Sequence, residues 1–298
     1  MFKCQVVLHF FQGYSIPVKL TQHPIYNAFL LLLCLATRYS IAEVENVEYG
    51  WLHEKSILLR TDAESCAQNF AHLFSSPFHT DIRSYGIAGA FLCMTALSFT
   101  ADRSVQHEMR ENASENYDNA IQPWQYYGVG YFPLAISAVG YISGLVFSNN
   151  WLRETGRECL MSLACATLIT TSLKIAVGRE RPYANEGSVD FDPFSFHNEN
   201  FSFPSGHTAT AFAFSTVLAS RIKNPFISIA LYTVAGMTAL QRVYSDNHWF
   251  SDVFMGVLIG TSSGLFIVHD SNRMEKTSVH IVPLFSKFGT GICMSRNF

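Results

Sequence analysis

Between residues 119 and 152 the chain runs for 34 positions without a single aspartate, glutamate, lysine or arginine. Five further uncharged, largely apolar stretches occupy 84–101, 159–173, 208–220, 224–241 and 253–268, separated by polar connections. Six such segments predict an all-α fold, a six-helix bundle over residues 84–270. A helix crossing a bilayer needs about 20 apolar residues, and the third, fourth and sixth segments offer only 15, 13 and 16 uncharged positions. Length alone therefore leaves both a transmembrane bundle and an apolar soluble one open. Composition favours the membrane: 49% of residues are hydrophobic and 14% charged, against roughly 25% charged in ordinary soluble domains.

The flanks differ in character. Residues 1–42 carry Lys3, Lys19 and Arg38, no acid, an apolar run at 28–36 and then Ser40-Ile41-Ala42. That order predicts an export signal with a small-x-small cleavage site, or else an uncleaved anchor. Residues 43–83 form a mixed, charged N-terminal extension with a helix-like patch over 65–74, expected outside the catalytic core. Residues 271–298 form a tail in which strand-like runs at 278–285 and 292–298 flank a Gly-containing turn, a β-like hairpin. The seven cysteines have no close spacing, so neither a zinc site nor a disulfide framework is indicated, and most are expected as small buried hydrophobes. A net charge of −3 without a basic stripe gives no case for nucleic acid.

Charge asymmetry bears on orientation. Arg153, Arg157, Arg221 and Lys223 lie in two connections, whereas 102–118 carries five acids against two arginines. The positive-inside rule then puts the latter side, facing the periplasm or exterior, together with the motifs described next. Export of 43–83 conflicts with that parity for six spans, so a soluble periplasmic bundle remains the alternative location.

Three blocks carry chemistry. Phe203-Pro204-Ser205-Gly206-His207-Thr208 places a small-residue turn and a histidine at the start of an apolar helix. Ser205 stands as N-cap and Gly206 admits a ligand to the backbone, so the unpaired amides of the first turn form a phosphate cradle. A capped turn with a solvated histidine is the plainer reading of that block by itself. Upstream, Lys174 stands seven residues before Arg181, and Pro182 ends the helix. Downstream, Arg242 precedes His248 and Asp252, whose spacing of four puts them on one helical face, where the carboxylate could hold the imidazole tautomer.

Together the blocks read K-x6-R-P, P-S-G-H and R-x5-H-x3-D across residues 174–252. In that order they resemble the superfamily of type-2 phosphatidic acid phosphatases, bacterial class A acid phosphatases and vanadium haloperoxidases. Gln241 departs from the serine usual in the family. The resemblance implies a metal-independent phosphatase acting through a phosphohistidine, without cofactor, on a phosphomonoester or diphosphate of a membrane lipid. A soluble periplasmic class A-type acid phosphatase is the alternative it leaves, and a vanadium-dependent haloperoxidase comes after that. By resemblance His248 is the nucleophile, Asp252 orients it, and His207 protonates the leaving oxygen. Lys174, Arg181 and Arg242 bind phosphate oxygens, with Ser205 and Gly206 completing the cradle. Arg179 and Glu180 are expected as loop charges. Asp190, Asp192, His197 and Glu199 are expected as a solvated loop at the substrate entrance rather than a metal site. Tyr126, Tyr127, Tyr131 and Phe132 are expected at a membrane interface or in the core.

Overall fold

The computed structural model describes residues 5–9, 15–19, 48–79, 81–184, 187–277, 279–286 and 289–296. The chain forms two compact units, Met1–Leu59 and Arg60–Phe298, and all three motif blocks lie in the second. In the first, β1 (Gln5–His9) and β2 (Ser15–Lys19) pair antiparallel. The apolar run at 28–36 and the expected cleavage site at 40–42 lie outside the described residues.

Helix α1 (Glu48–His79) is three times longer than the 65–74 patch read from the sequence. Its Cys66, Phe70 and Leu73 pack on Met161, Cys165 and Ile267. The chain continues through α2 (Ile82–Ser98), capped by Asp81, whose carboxylate accepts from the Ser84 amide, and α3 (Asp102–Glu111). The short α4 (Glu115–Ile121) and α5 (Gln125–Gly128) lead into α6 (Tyr131–Val146). Helix α7 (Asn150–Val177) starts at an Asn149 cap, α8 spans Gly206–Ile222, α9 (Pro225–Tyr244) starts at an Asn224 cap, and α10 spans Phe250–Thr277. Strands β3 (Val279–Ser286) and β4 (Gly289–Arg296) pair antiparallel in the tail.

Among the described residues, four stretches are long and apolar enough to cross a membrane: Ile82–Glu111, Asn150–Val177, Pro225–Tyr244 and Phe250–Arg273. Glu115–Gly128 and Tyr131–Val146 make a fifth if that pair, bent by 46°, is one span. A helix covers each of the six apolar segments, but fewer qualify as spans, for two reasons. Absence of charge does not make a helix continuous, and Pro123, Gly128 and Gly130 break 119–152 before α6. Helix α8, at 17 residues, is about 25 Å long, short of a hydrocarbon core of about 30 Å.

Helix α8 is nevertheless the centre of the bundle, packed by α7, α9 and α10. Gly256, Gly260 and Gly264 form a stripe on α10 that permits this closeness, as a Cβ at Gly260 would lie 2.3 Å from the Ala209 carbonyl oxygen. Ala166, Ala209, Ala213 and Ile259 fill the resulting core. The end of the bundle remote from the motifs buries ions instead. Glu158 is fully buried and paired with Arg221, while Asp62 accepts from Tyr141 at 3.0 Å and faces Arg153 and Arg157 at 3.5 and 3.6 Å.

Single residues expected in the core divide between two environments. Of the described cysteines, Cys159 and Cys165 are buried, Cys66 is half-buried and Cys93 is exposed on α2, a thinly covered helix. Tyr127 packs on the core, with its hydroxyl 2.7 Å from Ser215 Oγ, and Phe132 stacks near it. Tyr126 and Tyr131 are exposed.

Candidate active site

The motif residues meet where α7, α8, α9 and α10 end or begin on one side of the bundle. Helix α7 terminates at Gly178, whose φ of +61° only glycine adopts readily, and a Cβ there would meet the Asp192 carbonyl oxygen at 1.7 Å. That stop throws Arg179, Glu180 and Arg181 across the end of the bundle, each fastened by its backbone. Glu180 N donates to the Asp190 carbonyl at 3.1 Å, Arg181 N to that of Glu199 at 3.0 Å, and the Arg179 carbonyl accepts from Ser202 N at 2.9 Å. Helix α8 starts after Ser205, which is fully buried and whose amide donates to the Asp252 carbonyl at 2.9 Å, pinning the starts of α8 and α10 together. The Ser205 side chain does not cap the helix. Its oxygen accepts from Thr208 Oγ1 at 3.0 Å, which differs from the capping bond expected from the sequence.

His248 lies in the turn before α10, 3% exposed. Its Nδ1 is 2.7 Å from the Ser202 carbonyl oxygen. A carbonyl only accepts, so Nδ1 carries the proton and Nε2 presents its lone pair. Asp252, by contrast, stands 3.8 Å from Nδ1, beyond hydrogen-bond reach. The spacing of four suggested a direct carboxylate–imidazole bond, but α10 begins only at Phe250, so His248 is not on its face. Asp252 Oδ2 instead accepts from Trp249 N at 2.8 Å and from Ser202 Oγ, the residue whose carbonyl holds the histidine. The carboxylate thus reaches His248 through Ser202.

Lys174 and Arg181 act electrostatically on His248, and the same two residues with Arg242 act on His207. Lys174 Nζ donates to the Phe201 carbonyl at 2.6 Å, and its Cε lies within 3.8 Å of where a Cβ on Gly206 would be. Arg181 Nε and Arg242 Nε are buried and have no hydrogen-bond partner among the described residues. Burial holds the His248 pKa down to about 3, with Lys174 and Arg181 adding to the depression and Asp252 opposing it. Burial likewise lowers His207 to about 4, helped by Arg242, Lys174 and Arg181. Both rings are therefore neutral near pH 7, in the field of Arg181, Arg242 and Lys174.

Several participants were not legible in the sequence. Arg179, expected as a loop charge, is 0% exposed and is the hub beneath the site. Its Nη1 donates to Asp252 Oδ1 at 2.6 Å and its Nη2 to Asp102 Oδ2 at 2.7 Å, while its guanidinium lies 4.3 Å from the Phe99 ring centre. Asp102 also accepts from Ser251 N at 2.8 Å and Ser251 Oγ at 2.7 Å. A second strap runs from α3, where Arg110 Nε donates to Asp246 Oδ2 at 2.8 Å and its Nη2 to the Pro182 carbonyl at 3.2 Å. The only hint was an aspartate directly after an uncharged run. Gln241 is buried and donates to Ser245 Oγ at 3.3 Å, with its Oε1 unpaired among the described residues. In the entrance loop, Asp192 accepts from Asn200 and His197 faces Ser195 Oγ at 3.2 Å, and no group of three His, Cys, Asp or Glu gathers among the described residues.

Comparison with known proteins matches the same stretch. The chain is 29% identical over 163 residues to the lipid A 1-phosphatase of Porphyromonas gingivalis, covering 50% of this chain and 34% of that one. It is 40% identical over 110 residues to the lipid A 1-phosphatase of Rhizobium etli, covering 35% of this chain and 45% of that one. The chain thus spans less than half the length of these curated relatives. In fold it is similar to a transmembrane PAP2-type phosphatidylglycerolphosphate phosphatase from Bacillus subtilis, at a TM-score of 0.51 and 17% identity, covering 63% of this chain and 98% of that one. Residues 156–275, the segment that holds Lys174, Arg181, His207, Arg242 and His248, match the family model of the PAP2 superfamily.

Proposed function

We propose that this chain is an integral membrane phosphatase that removes a phosphate from a lipid of the lipid A or phosphatidylglycerol phosphate kind, through a phosphohistidine on His248. The observation that carries the reading is the set Lys174, Arg181 and Arg242, which act on two neutral histidines and have no carboxylate partner among the described residues, with Arg181 Nε and Arg242 Nε buried without a hydrogen bond; Arg153 and Arg157, whose buried nitrogens also lack one, face Asp62 instead. A buried charged donor left without an acceptor is costly, and an oxyanion relieves that cost. The relatives' names, lipid A 1-phosphatase and phosphatidylglycerolphosphate phosphatase, supply the substrate class. The four candidate spans supply the setting, because a phosphate site at the ends of apolar helices can take a headgroup while acyl chains stay in the bilayer.

In this reading His248 Nε2 attacks phosphorus as the ester oxygen departs, and that oxygen takes a proton from His207. His207 is neutral in the free site. A bound phosphate dianion offsets Lys174, Arg181 and Arg242 and so favours the imidazolium, which arms the acid only when substrate is present. In the second step neutral His207 takes a proton from water, the hydroxide attacks the phosphohistidine, and inorganic phosphate leaves with His248 restored. Lys174, Arg181 and Arg242 hold the equatorial oxygens throughout, with Ser205 and the Gly206 amide completing the cradle. Arg179 and Asp102 keep Asp252, Ser202 and hence His248 in place.

The test is phosphate release in EDTA from lipid A, phosphatidylglycerol phosphate, phosphatidate, undecaprenyl diphosphate and p-nitrophenyl phosphate, by the wild type and His248→Ala. Turnover of a lipid phosphate by the wild type alone supports the reading. Turnover of only the soluble ester would point to a soluble phosphomonoester, and peroxide-dependent bromide oxidation with vanadate would point to a haloperoxidase.

A further inference from the structure

The loop between Gly178 and Ser202 contains an aromatic arrangement that phosphate chemistry does not require. Phe191, 40% exposed, leans on the buried hub, its ring centre 5.8 Å from the Arg179 guanidinium carbon and 6.4 Å from the Phe99 ring centre. Phe194 and Phe196 turn outward and are 71% and 77% exposed, with Val189 at 67%. Phe194 also has a φ of +63°, the left-handed region that a bulky residue rarely enters and that is stabilised only when the surroundings impose it. Here the surroundings do impose it. Phe194 N donates to the Ile175 carbonyl at 2.7 Å, Asp192 N to that of Gly178 at 2.8 Å, and Ser195 N to that of Asp192 at 3.2 Å. A fastened, strained loop that exposes two large aromatic rings suggests a surface with a partner.

The depth of the loop identifies that partner. Ile175 belongs to the last turn of the candidate span Asn150–Val177, so the 2.7 Å bond fixes Phe194 at the level where that span leaves the hydrocarbon. Aromatic side chains concentrate at this boundary because a ring can enter the apolar edge while its backbone stays among polar groups. The backbone of the same loop reaches the phosphate site directly, since Arg181 N binds the Glu199 carbonyl and Lys174 Nζ that of Phe201. We infer that Phe194 and Phe196 form an aromatic lip that inserts into the headgroup–acyl boundary of the bilayer and seats the lipid part of the substrate beside the phosphate cradle. The occupant is lipid. The acids of the loop, Asp190, Asp192 and Glu199, argue against docking through anionic headgroups and for insertion by apolar contact.

The inference deepens the lipid phosphatase reading, and two measurements keep its failure separate from failure of that reading. The first uses the full chain with Phe196→Trp in phosphatidylcholine vesicles, with the acyl chains brominated near the headgroup. The emission added over wild type should be quenched by at least half as strongly as that of a tryptophan within a span, whether or not the protein is active. Added emission that brominated lipid leaves untouched overturns the lip, including the case in which it responds to protein concentration and the surface meets a second copy. The second compares Phe194→Ser/Phe196→Ser with wild type on phosphatidate in phosphatidylcholine vesicles and on p-nitrophenyl phosphate. Loss of the two rings should lower kcat/KM on the vesicle substrate by about tenfold, through KM, and leave the soluble ester within about twofold. Phe194→Tyr/Phe196→Trp should recover most of the loss. Equal falls on both substrates, or a fall in neither, overturn the inference. A wild type inactive on all lipid phosphates defeats the phosphatase reading instead, and the quenching result still decides the lip.

Discussion

Two clusters of buried charge lie at opposite ends of α7, with Arg157 and Lys174 about 25 Å apart along its axis by helical rise. At the remote end Asp62, Glu154 and Glu158 face Arg153, Arg157 and Arg221, charge for charge, with Arg221 Nε 2.6 Å from Glu158 Oε2. At the motif end, among the described residues, Lys174, Arg179, Arg181 and Arg242 stand against Asp102 and Asp252, and both carboxylates are taken up by Arg179. Buried guanidinium nitrogens lack a hydrogen bond at both ends, but at the remote end Arg153 and Arg157 face Asp62. Lys174, Arg181 and Arg242 have no carboxylate partner among the described residues, an imbalance that suits an anion supplied from outside. Burial of charge by itself therefore does not mark a functional site, whereas the residue of uncompensated charge does.

The largest expected break in the comparison is chemical. His248→Ala should lower turnover by roughly 10⁴-fold or more and abolish acid-labile phosphoenzyme, measured by single-turnover labelling. Undiminished phosphoenzyme would move the nucleophile elsewhere. Next come the cations: Arg181→Ala or Arg242→Ala should cost on the order of 10²–10³-fold on lipid and p-nitrophenyl substrates alike. His207→Ala should instead spare the p-nitrophenyl ester, whose leaving oxygen scarcely needs a proton. Equal losses on both esters in His207→Ala would assign that ring to phosphate binding.

A smaller effect concerns pH. In the proposed mechanism His248 attacks as the free base, and its pKa, held to about 3 by burial with help from Lys174 and Arg181, keeps it unprotonated well below the ordinary histidine range. The acid limb of kcat/KM, corrected for ionisation of the substrate, should accordingly lie below pH 5, about two units above the free-site value at most. Arg181→Met removes one depressing charge and should move that limb upward. A limb that stays put would mean the histidine does not control it. At the remote end the expectation reverses. Glu158→Gln strands Arg221 and should destabilise the fold by about 3–5 kcal/mol, read as lower thermal stability in detergent, while kcat of the folded fraction stays within about twofold. A large drop in kcat would couple the two ends and blur the contrast.

The helical class, the positions of all six apolar segments and the three-block order from Lys174 to Asp252 could be read from residue types alone, because apolar periodicity and motif spacing are local properties. That Lys174, Arg181, His207, Arg242 and His248 serve one site was implied only by the family resemblance that the order of the blocks carries. Locality also set the limits. Absence of charge alone does not say which helices are long enough to span, so the six apolar segments yield four or five candidate spans among the described residues. Nothing local says that α1 extends from Glu48 to His79, since its stability comes from Cys66, Phe70 and Leu73 packing on distant residues.

The tertiary structure alone decided how the site is held. The spacing of His248 and Asp252 suggested a direct bond, and the fold replaced it with the Ser202 carbonyl, because α10 starts two residues after the histidine. Arg179 looked like one more loop charge. It became the buried hub because Asp102, 77 positions earlier, and Asp252, 73 positions later, both arrive beside it. Motif residues that face a common ligand keep a recognisable spacing, because the ligand constrains them together. Residues that support them are constrained only by the three-dimensional neighbourhood, and a chain of hydrogen bonds among segments so far apart leaves no pattern along the sequence.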